Sequence, residues 1–143
     1  MKIKIINKSQ NVLPSYATDG SAGLDLSADI FESVAIGPNE RRVIPTGVFI
    51  ELPKEYEAQI RSRSGLTLKK GLVVANSPGT IDSDYRGEIG IIIHNISESN
   101  QFISPGDRIA QMIITKHERI EWDEVDSLTT TERDEGGFGS TGK

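Results

Sequence analysis

The sequence predicts an all-β domain, a sandwich or closed barrel with one short helix. Two observations carry that expectation. Short apolar runs rich in Ile and Val recur, separated by Gly, Pro, Asn, Asp and Ser, and such runs suit pleated strands joined by turns. No stretch of ten or more residues keeps a helical period. The chain has 143 residues, the length of one domain, and at that size about 70% of the unfolded surface is buried without covalent staples.

Taken in order, Lys2–Ile6, Gly47–Leu52, Ala58–Ile60, Leu72–Val74, Ile89–Ile93 and Ile109–Thr115 read as strands. Ser33–Ile36 and Arg42–Pro45 are weaker strand candidates, and the helix is expected near Gly65–Lys70. Many short strands at this spacing suggest a sandwich or barrel. Composition changes only at the end. After Val125 the chain turns polar, and from Arg133 it reads RDEGGFGSTGK. The expected division is a β-barrel domain over residues 1–126 and a flexible C-terminal arm over residues 127–143.

Charge and composition remove several classes of function. With 16 basic and 21 acidic residues the net charge is −5, which gives no general attraction to nucleic acid or to an anionic membrane. A local cationic pocket for a small anion stays open. There are no cysteines, so disulfides, thiolate metal sites and cysteine nucleophiles are excluded. No apolar run approaches the ~20 residues of a membrane span, and MKIKIINKSQ lacks the apolar region of a secretory signal. A soluble, intracellular, cytoplasmic protein is expected. The two histidines, His94 and His117, have no metal-ligand spacing. Trp122, in a polar stretch, reads as a local packing anchor.

The segment Asn76–Glu88 is the most informative. It has turn residues at both ends, three acids, a tyrosine and an arginine, and an aliphatic strand behind it. A hairpin that displays Asp82 three residues before Tyr85 can position water beside an aromatic platform. Arg61-Ser-Arg-Ser-Gly65 offers N–H groups, hydroxyls and guanidinium groups at a helix start, which suits phosphate; the plainer reading is an exposed turn with a helix cap at Ser64. Gly20–Ala28 places Asp25 in a strand-like context, where an inward carboxylate needs a partner or a metal; a bulge with a capped turn is the alternative. Gln111 interrupts the apolar run Ile109–Ile114, and it either has a role or faces solvent on the alternate side. In the tail, Gly137, Gly142 and Lys143 spell most of a phosphate-loop pattern, but no Ser or Thr follows the lysine. Arg133, Phe138, Gly139, Ser140 and Thr141 still suit a nucleoside polyphosphate. Arginine pairs with phosphate in a fork, backbone and hydroxyl donors approach an anion, and Phe138 offers a flat face to a base.

Together these segments resemble the trimeric dUTPases. Five motifs match in order: Ala22-Gly-Leu-Asp-Leu-Ser-Ala28, Arg63-Ser-Gly65, Gly79-Thr-Ile-Asp-Ser-Asp-Tyr-Arg-Gly87, Gly106-Asp-Arg-Ile-Ala-Gln111 and Arg133-Asp-Glu-Gly-Gly-Phe-Gly-Ser-Thr141. The resemblance covers almost the whole chain. It departs at no position expected to be catalytic. Some members carry Pro before the second motif's arginine where this chain has Ser62, and little effect is expected from that.

The resemblance implies a jelly-roll-like subunit in a homotrimer, with sites built at subunit boundaries and closed by a neighbour's tail. It implies hydrolysis of dUTP to dUMP and pyrophosphate, which limits uracil in DNA and supplies dUMP for dTMP synthesis. By that likeness Asp82 activates water for attack on the α-phosphorus. Mg²⁺ arrives on the triphosphate, and Asp25 reaches it through water. Arg63, Ser64 and Gly65 contact phosphates, and Gln111 supports the phosphate and water network. Arg133, Gly139, Ser140 and Thr141 clasp the γ end while Phe138 stacks on uracil. Asn76, Thr80, Ile81 and the backbone at Gly90 read the base, and Tyr85 lies under the sugar. The competing readings are a dCTP deaminase of the same fold and a non-catalytic β-scaffold that docks a partner.

Overall fold

Isoleucine spacing builds the core. In a computed structural model, which describes residues 1–137, Ile36, Ile44, Ile89, Ile91, Ile93, Ile103 and Ile109 are each at most 2% exposed. Each such side chain contributes about 2 kcal/mol of burial. The eleven strands are β1 Lys4–Asn7, β2 Leu24–Ser27, β3 Val34–Ile36, β4 Arg41–Ile44, β5 Val48–Glu51, β6 Tyr56–Arg61, β7 Leu72–Val74, β8 Gly79–Ile81, β9 Ile91–Asn95, β10 Gln101–Ile103 and β11 Arg108–Lys116. Among the described residues there is one helix, α1, which spans Ser64–Lys70 between β6 and β7. The all-β expectation with one short helix holds. Among the described residues no helix is long and apolar enough to cross a membrane.

The strands form four small sheets. Their orders are β2-β11-β6-β8, β4-β9-β7, β1-β5 and β10-β3, and every pairing is antiparallel. Alternation decides which face is buried. Along β9, Ile91, Ile93 and Asn95 point into the core while Ile92 and His94 are half-buried, the period of a pleated strand. Asn95 is fully buried, and its amide is satisfied: Nδ2 donates to the carbonyls of Ile36 and Ser99 at 2.8 Å, and Oδ1 accepts the Ser97 N–H at 2.9 Å. The helix ends at Gly71, whose φ of 63° is left-handed and whose N–H bonds to the Thr67 carbonyl. This is the glycine C-cap that lets a chain turn sharply into a strand.

Several expectations shift. The strand expected over Ile89–Ile93 begins at Ile91, because Ile89 is tied locally instead: its N–H bonds to the Val48 carbonyl at 2.9 Å, and its carbonyl accepts the Thr46 hydroxyl at 2.6 Å. Asn76–Glu88 is not a hairpin folded on itself. β8 joins β6 in the four-stranded sheet, whereas β9 lies between β4 and β7. The segment crosses between sheets because its two flanking strands find different partners. Trp122 does not anchor local packing: it is 89% exposed. Residues 117–130 carry no strand or helix, and they expose Ile120, Val125 and Leu128 besides.

Candidate active site

Register across the four-stranded sheet builds a polar row. Gln111 on β11 sits opposite Arg61 on β6 and opposite Asp25 on β2. Directly opposed residues share a face, so these three polar residues line one side while Leu26, Ile60 and Met112 fill the core. Asp25 is shared by two arginines. Arg63 Nε donates to its Oδ1 at 2.8 Å, and Arg108 Nη1 donates to its Oδ2 at 2.9 Å. Arg63 Nη1 also donates to the Arg108 carbonyl at 3.0 Å. Two guanidinium groups on one carboxylate leave a positive excess, which Arg61 increases and which suits phosphate. A cavity of about 390 Å³ opens here, lined by Ala22, Gly23, Asp25, Arg61 and Gln111 among others.

Backbone choices fix this row. Gln111 Nε2 donates to the Ser62 carbonyl at 2.9 Å. A Cβ at Gly23 would stand 2.6 Å from Gln111 Oε1, so glycine there leaves room for the amide. Gln111 is therefore half-buried and bonded rather than a solvent-facing alternate residue. Ser62 was expected to matter little, yet its Oγ accepts the Val74 N–H at 2.8 Å. It ties β7 to the turn that precedes α1. The helix cap expected at Ser64 falls on Arg63, with no side-chain cap bond. Ser64 and Gly65 begin the helix and are exposed.

A second cluster lies on the crossing segment. Thr80, Ile81, Asp82, Tyr85, Glu88 and Gly90 line a cleft of about 150 Å³. The Asp82 carbonyl accepts the Tyr85 N–H at 3.2 Å, closing a tight turn. The Asp82 carboxylate is exposed and makes no hydrogen bond or ion pair among the described residues. The Tyr85 ring occupies the space where a side chain at Gly87 would stand, and its hydroxyl donates to the Glu88 carbonyl at 3.0 Å. Arg86 Nη1 donates to the Ser83 and Tyr85 carbonyls at 2.8 Å. Glu88 Oε1 accepts the N–H groups of Thr46 at 3.1 Å and Gly47 at 2.7 Å.

The structure brings Thr80, Ile81, Asp82, Tyr85 and Gly90 together, and separately Asp25, Arg63 and Gln111. It does not bring the two groups together within one chain. In the β6 register, Ile81 opposes Ala58 and Gln111 opposes Arg61. Asp82, one residue beyond Ile81, therefore lies four β6 positions from the polar row, roughly 13 Å along the strand. Asn76 is exposed on the turn before β8. Arg133 is exposed, and its Nε donates to the Gly136 carbonyl at 2.8 Å. Phe138, Gly139, Ser140 and Thr141 lie outside the described residues. No group of three or more His, Asp or Glu able to hold a metal is present among the described residues. Sequence reasoning assigned no role to Arg108, Thr46 or Glu88. Only Glu88 left a signal, as an acid directly before a fully buried isoleucine.

An all-β chain with a guanidinium-rich row on one sheet face, and a carboxylate unpaired among the described residues that shares a separate cleft with a tyrosine, has the makings of a jelly-roll nucleotide hydrolase. The dUTPase family model matches residues 9–142. The chain belongs to the dUTPase family. The deoxyuridine 5'-triphosphate nucleotidohydrolase of Finegoldia magna is 55% identical over 142 residues, covering 99% of each chain. That of Anaplasma marginale is 54% identical over 145 residues, again covering 99% of each. Among solved structures, a mutant dUTPase of Staphylococcus bacteriophage 80alpha with dUpNHpp superposes with a TM-score of 0.85 at 27% identity, covering 99% of each chain. A mutant dUTPase from phage phi11 of S. aureus, described with a structural Mg(II) ion, gives a TM-score of 0.81 at 25% identity, covering 91% of this chain and all of that one.

Proposed function

We propose that the protein hydrolyses dUTP to dUMP and pyrophosphate at a site assembled from both clusters. The carrying observation is the Asp82 carboxylate, which makes no hydrogen bond or ion pair among the described residues and shares one cleft with Tyr85. A free carboxylate can hold water and take its proton. Attack on the α-phosphorus forms the new O–P bond and breaks the bond to the bridging oxygen, and pyrophosphate leaves. Phosphoryl substitution of this kind depends on positioning and charge neutralisation. Arg63 and the start of α1 at Ser64 and Gly65 supply the neutralising end, with Ser64 near the leaving bridge oxygen and Gln111 supporting the phosphates.

The residues fit Mg²⁺ that comes with the substrate. Asp25 is the one carboxylate of the polar row, and after two N–H bonds it keeps lone pairs for a metal-bound water. When bound, the ion would screen the phosphate charge. Arg133, Phe138, Gly139, Ser140 and Thr141 would close over the nucleotide and exclude bulk water, which strengthens charge contacts.

Base choice follows from hydrogen-bond matching. Uracil offers an N3 donor and an O4 acceptor, and cytosine reverses both. Backbone groups near Thr80, Ile81 and Gly90, with Asn76, would leave cytosine unpaired, a mismatch that discriminates strongly. Tyr85 beneath the sugar leaves no space for a ribose 2′-hydroxyl.

The homotrimer is supported by two features of this chain. The two clusters are too far apart along the sheet to serve one α-phosphorus from a single subunit. Ile120, Trp122, Val125 and Leu128 form an exposed apolar series on a segment without strand partners of its own among the described residues, and a neighbouring copy would cover it.

The test is pyrophosphate release with Mg²⁺ across dUTP, UTP, dCTP and dTTP. Release from dUTP above the other three is expected. Ammonia from dCTP would point instead to a deaminase, and neither product to a binding scaffold.

A further inference from the structure

We infer that Glu88 is a positioning residue that sets the choice between deoxyribose and ribose by clamping the segment that carries Tyr85 and Asp82. The inference rests on the reading of Tyr85 as the floor under the sugar. The geometry has three parts. The first is a fixed post. The β4–β5 corner at Pro45, Thr46 and Gly47 is held by bonds from the Asp29 N–H to the Pro45 carbonyl and from the Lys8 N–H to the Gly47 carbonyl, each 2.8 Å. Gly47 takes a left-handed φ of 67°, and a Cβ there would stand 2.7 Å from the Ser9 nitrogen. Only glycine lets the corner pack so closely.

The second part is the clamp. One oxygen of the Glu88 carboxylate accepts two consecutive backbone N–H groups of that post, from Thr46 at 3.1 Å and Gly47 at 2.7 Å. Hydrogen bonds to a charged acceptor are the stronger kind. Thr46, 1% exposed, adds its hydroxyl to the Ile89 carbonyl at 2.6 Å. The third part is the transfer. The Glu88 carbonyl accepts the Tyr85 hydroxyl at 3.0 Å, and the ring lies over Gly87. The carboxylate therefore fixes the main chain whose own carbonyl fixes the ring. Released from the post, the segment from Asp82 to Glu88 keeps the turn bond within it, the Tyr85 and Arg86 bonds to its own carbonyls, and, at its end only, the Thr46 hydroxyl on the Ile89 carbonyl and the Ile89 N–H on the Val48 carbonyl. A floor that yields admits the extra hydroxyl of a ribose.

The experiment compares kcat/KM for dUTP and UTP in Glu88→Ala, Glu88→Gln, Tyr85→Phe and the double variant Glu88→Ala/Tyr85→Phe, with Tyr85→Ala as control and thermal unfolding of each. Glu88→Ala is expected to lower the dUTP-over-UTP ratio roughly tenfold through the loss of both carboxylate bonds. Glu88→Gln keeps an acceptor oxygen and should restore most of the ratio. The double variant should shift the ratio less than the two single shifts combined, because both act through one device. An unchanged ratio in Glu88→Ala beside a shifted ratio in Tyr85→Ala overturns the role of Glu88. An unchanged ratio in Tyr85→Ala overturns the sugar-floor reading itself. If Glu88→Ala fails to fold, Glu88→Ser, too short to reach the Thr46 and Gly47 N–H groups, takes its place, and an unchanged ratio there beside a shifted ratio in Tyr85→Ala overturns the inference.

Discussion

Arg63 Nε meets Asp25 Oδ1 at 2.8 Å, although the two residues are thirty-eight positions apart in sequence. β2 and β6 are not neighbours in their sheet; β11 lies between them. The pair therefore spans the middle strand at its end, and Arg108 of that strand completes it. The carboxylate aims two guanidinium groups at once, so it organises positive charge at this end of the sheet.

Replacing Asp25 with Asn keeps the shape and removes the charge that gathers Arg63 and Arg108. We expect kcat/KM for dUTP to fall by roughly ten- to a hundredfold, while the unfolding midpoint moves little because the pair is partly exposed. Steady-state kinetics beside a melting curve decides it. A large loss of stability with intact kinetics would assign Asp25 to the fold alone.

Asp82→Asn should abolish most turnover and leave nucleotide binding in place. The amide keeps the size of the carboxylate but takes no proton from water. Calorimetric titration with a non-hydrolysable dUTP analogue, set against pyrophosphate release, separates the two effects. Turnover near that of the parent protein would remove Asp82 from the chemistry.

Deleting residues 133–143 should leave the β-structure and its melting behaviour unchanged, because no strand lies beyond Lys116 among the described residues. The same deletion should cut kcat/KM for dUTP by orders of magnitude. A fully active shortened chain would make the tail a passenger.

Gly23→Ala probes the polar row from its backbone. The new methyl would press on Gln111 Oε1, the movable end of a side chain, so the fold should tolerate it. The Gln111 bond to the Ser62 carbonyl should be strained, with KM for dUTP rising severalfold. A crystal structure of the variant with Gln111 unmoved and KM unchanged would contradict this.

The aliphatic strands were legible because burial writes a period into sequence. Leu72–Val74 coincides with β7, and Ile109–Thr115 falls within β11. β8 and β10 left no such mark, and β2 showed only as the strand-like setting of Asp25. Leu24–Ser27 contains Asp and Ser on its outer face, Gly79–Ile81 is three residues long, and Gln101–Ile103 is just as short. Each is a strand because a neighbour offers its edge, and that is tertiary information. The candidate site divides the same way. Asp82 and Tyr85 stand close in sequence, where a motif can display them. The sharing of Asp25 between two arginines depends on sheet order, and the grip of Glu88 on Thr46 and Gly47 spans more than forty residues. The Trp122 expectation failed because a lone aromatic among polar residues looks the same whether it packs within its own chain or awaits another surface.

The distance between the guanidinium row and the Asp82 cleft has a genetic corollary. If one working centre borrows each half from a different copy, two crippled versions of the chain, one without Asp82 and one without Arg63, would complement each other when co-assembled. Mixed particles would regain catalysis that neither parent possesses.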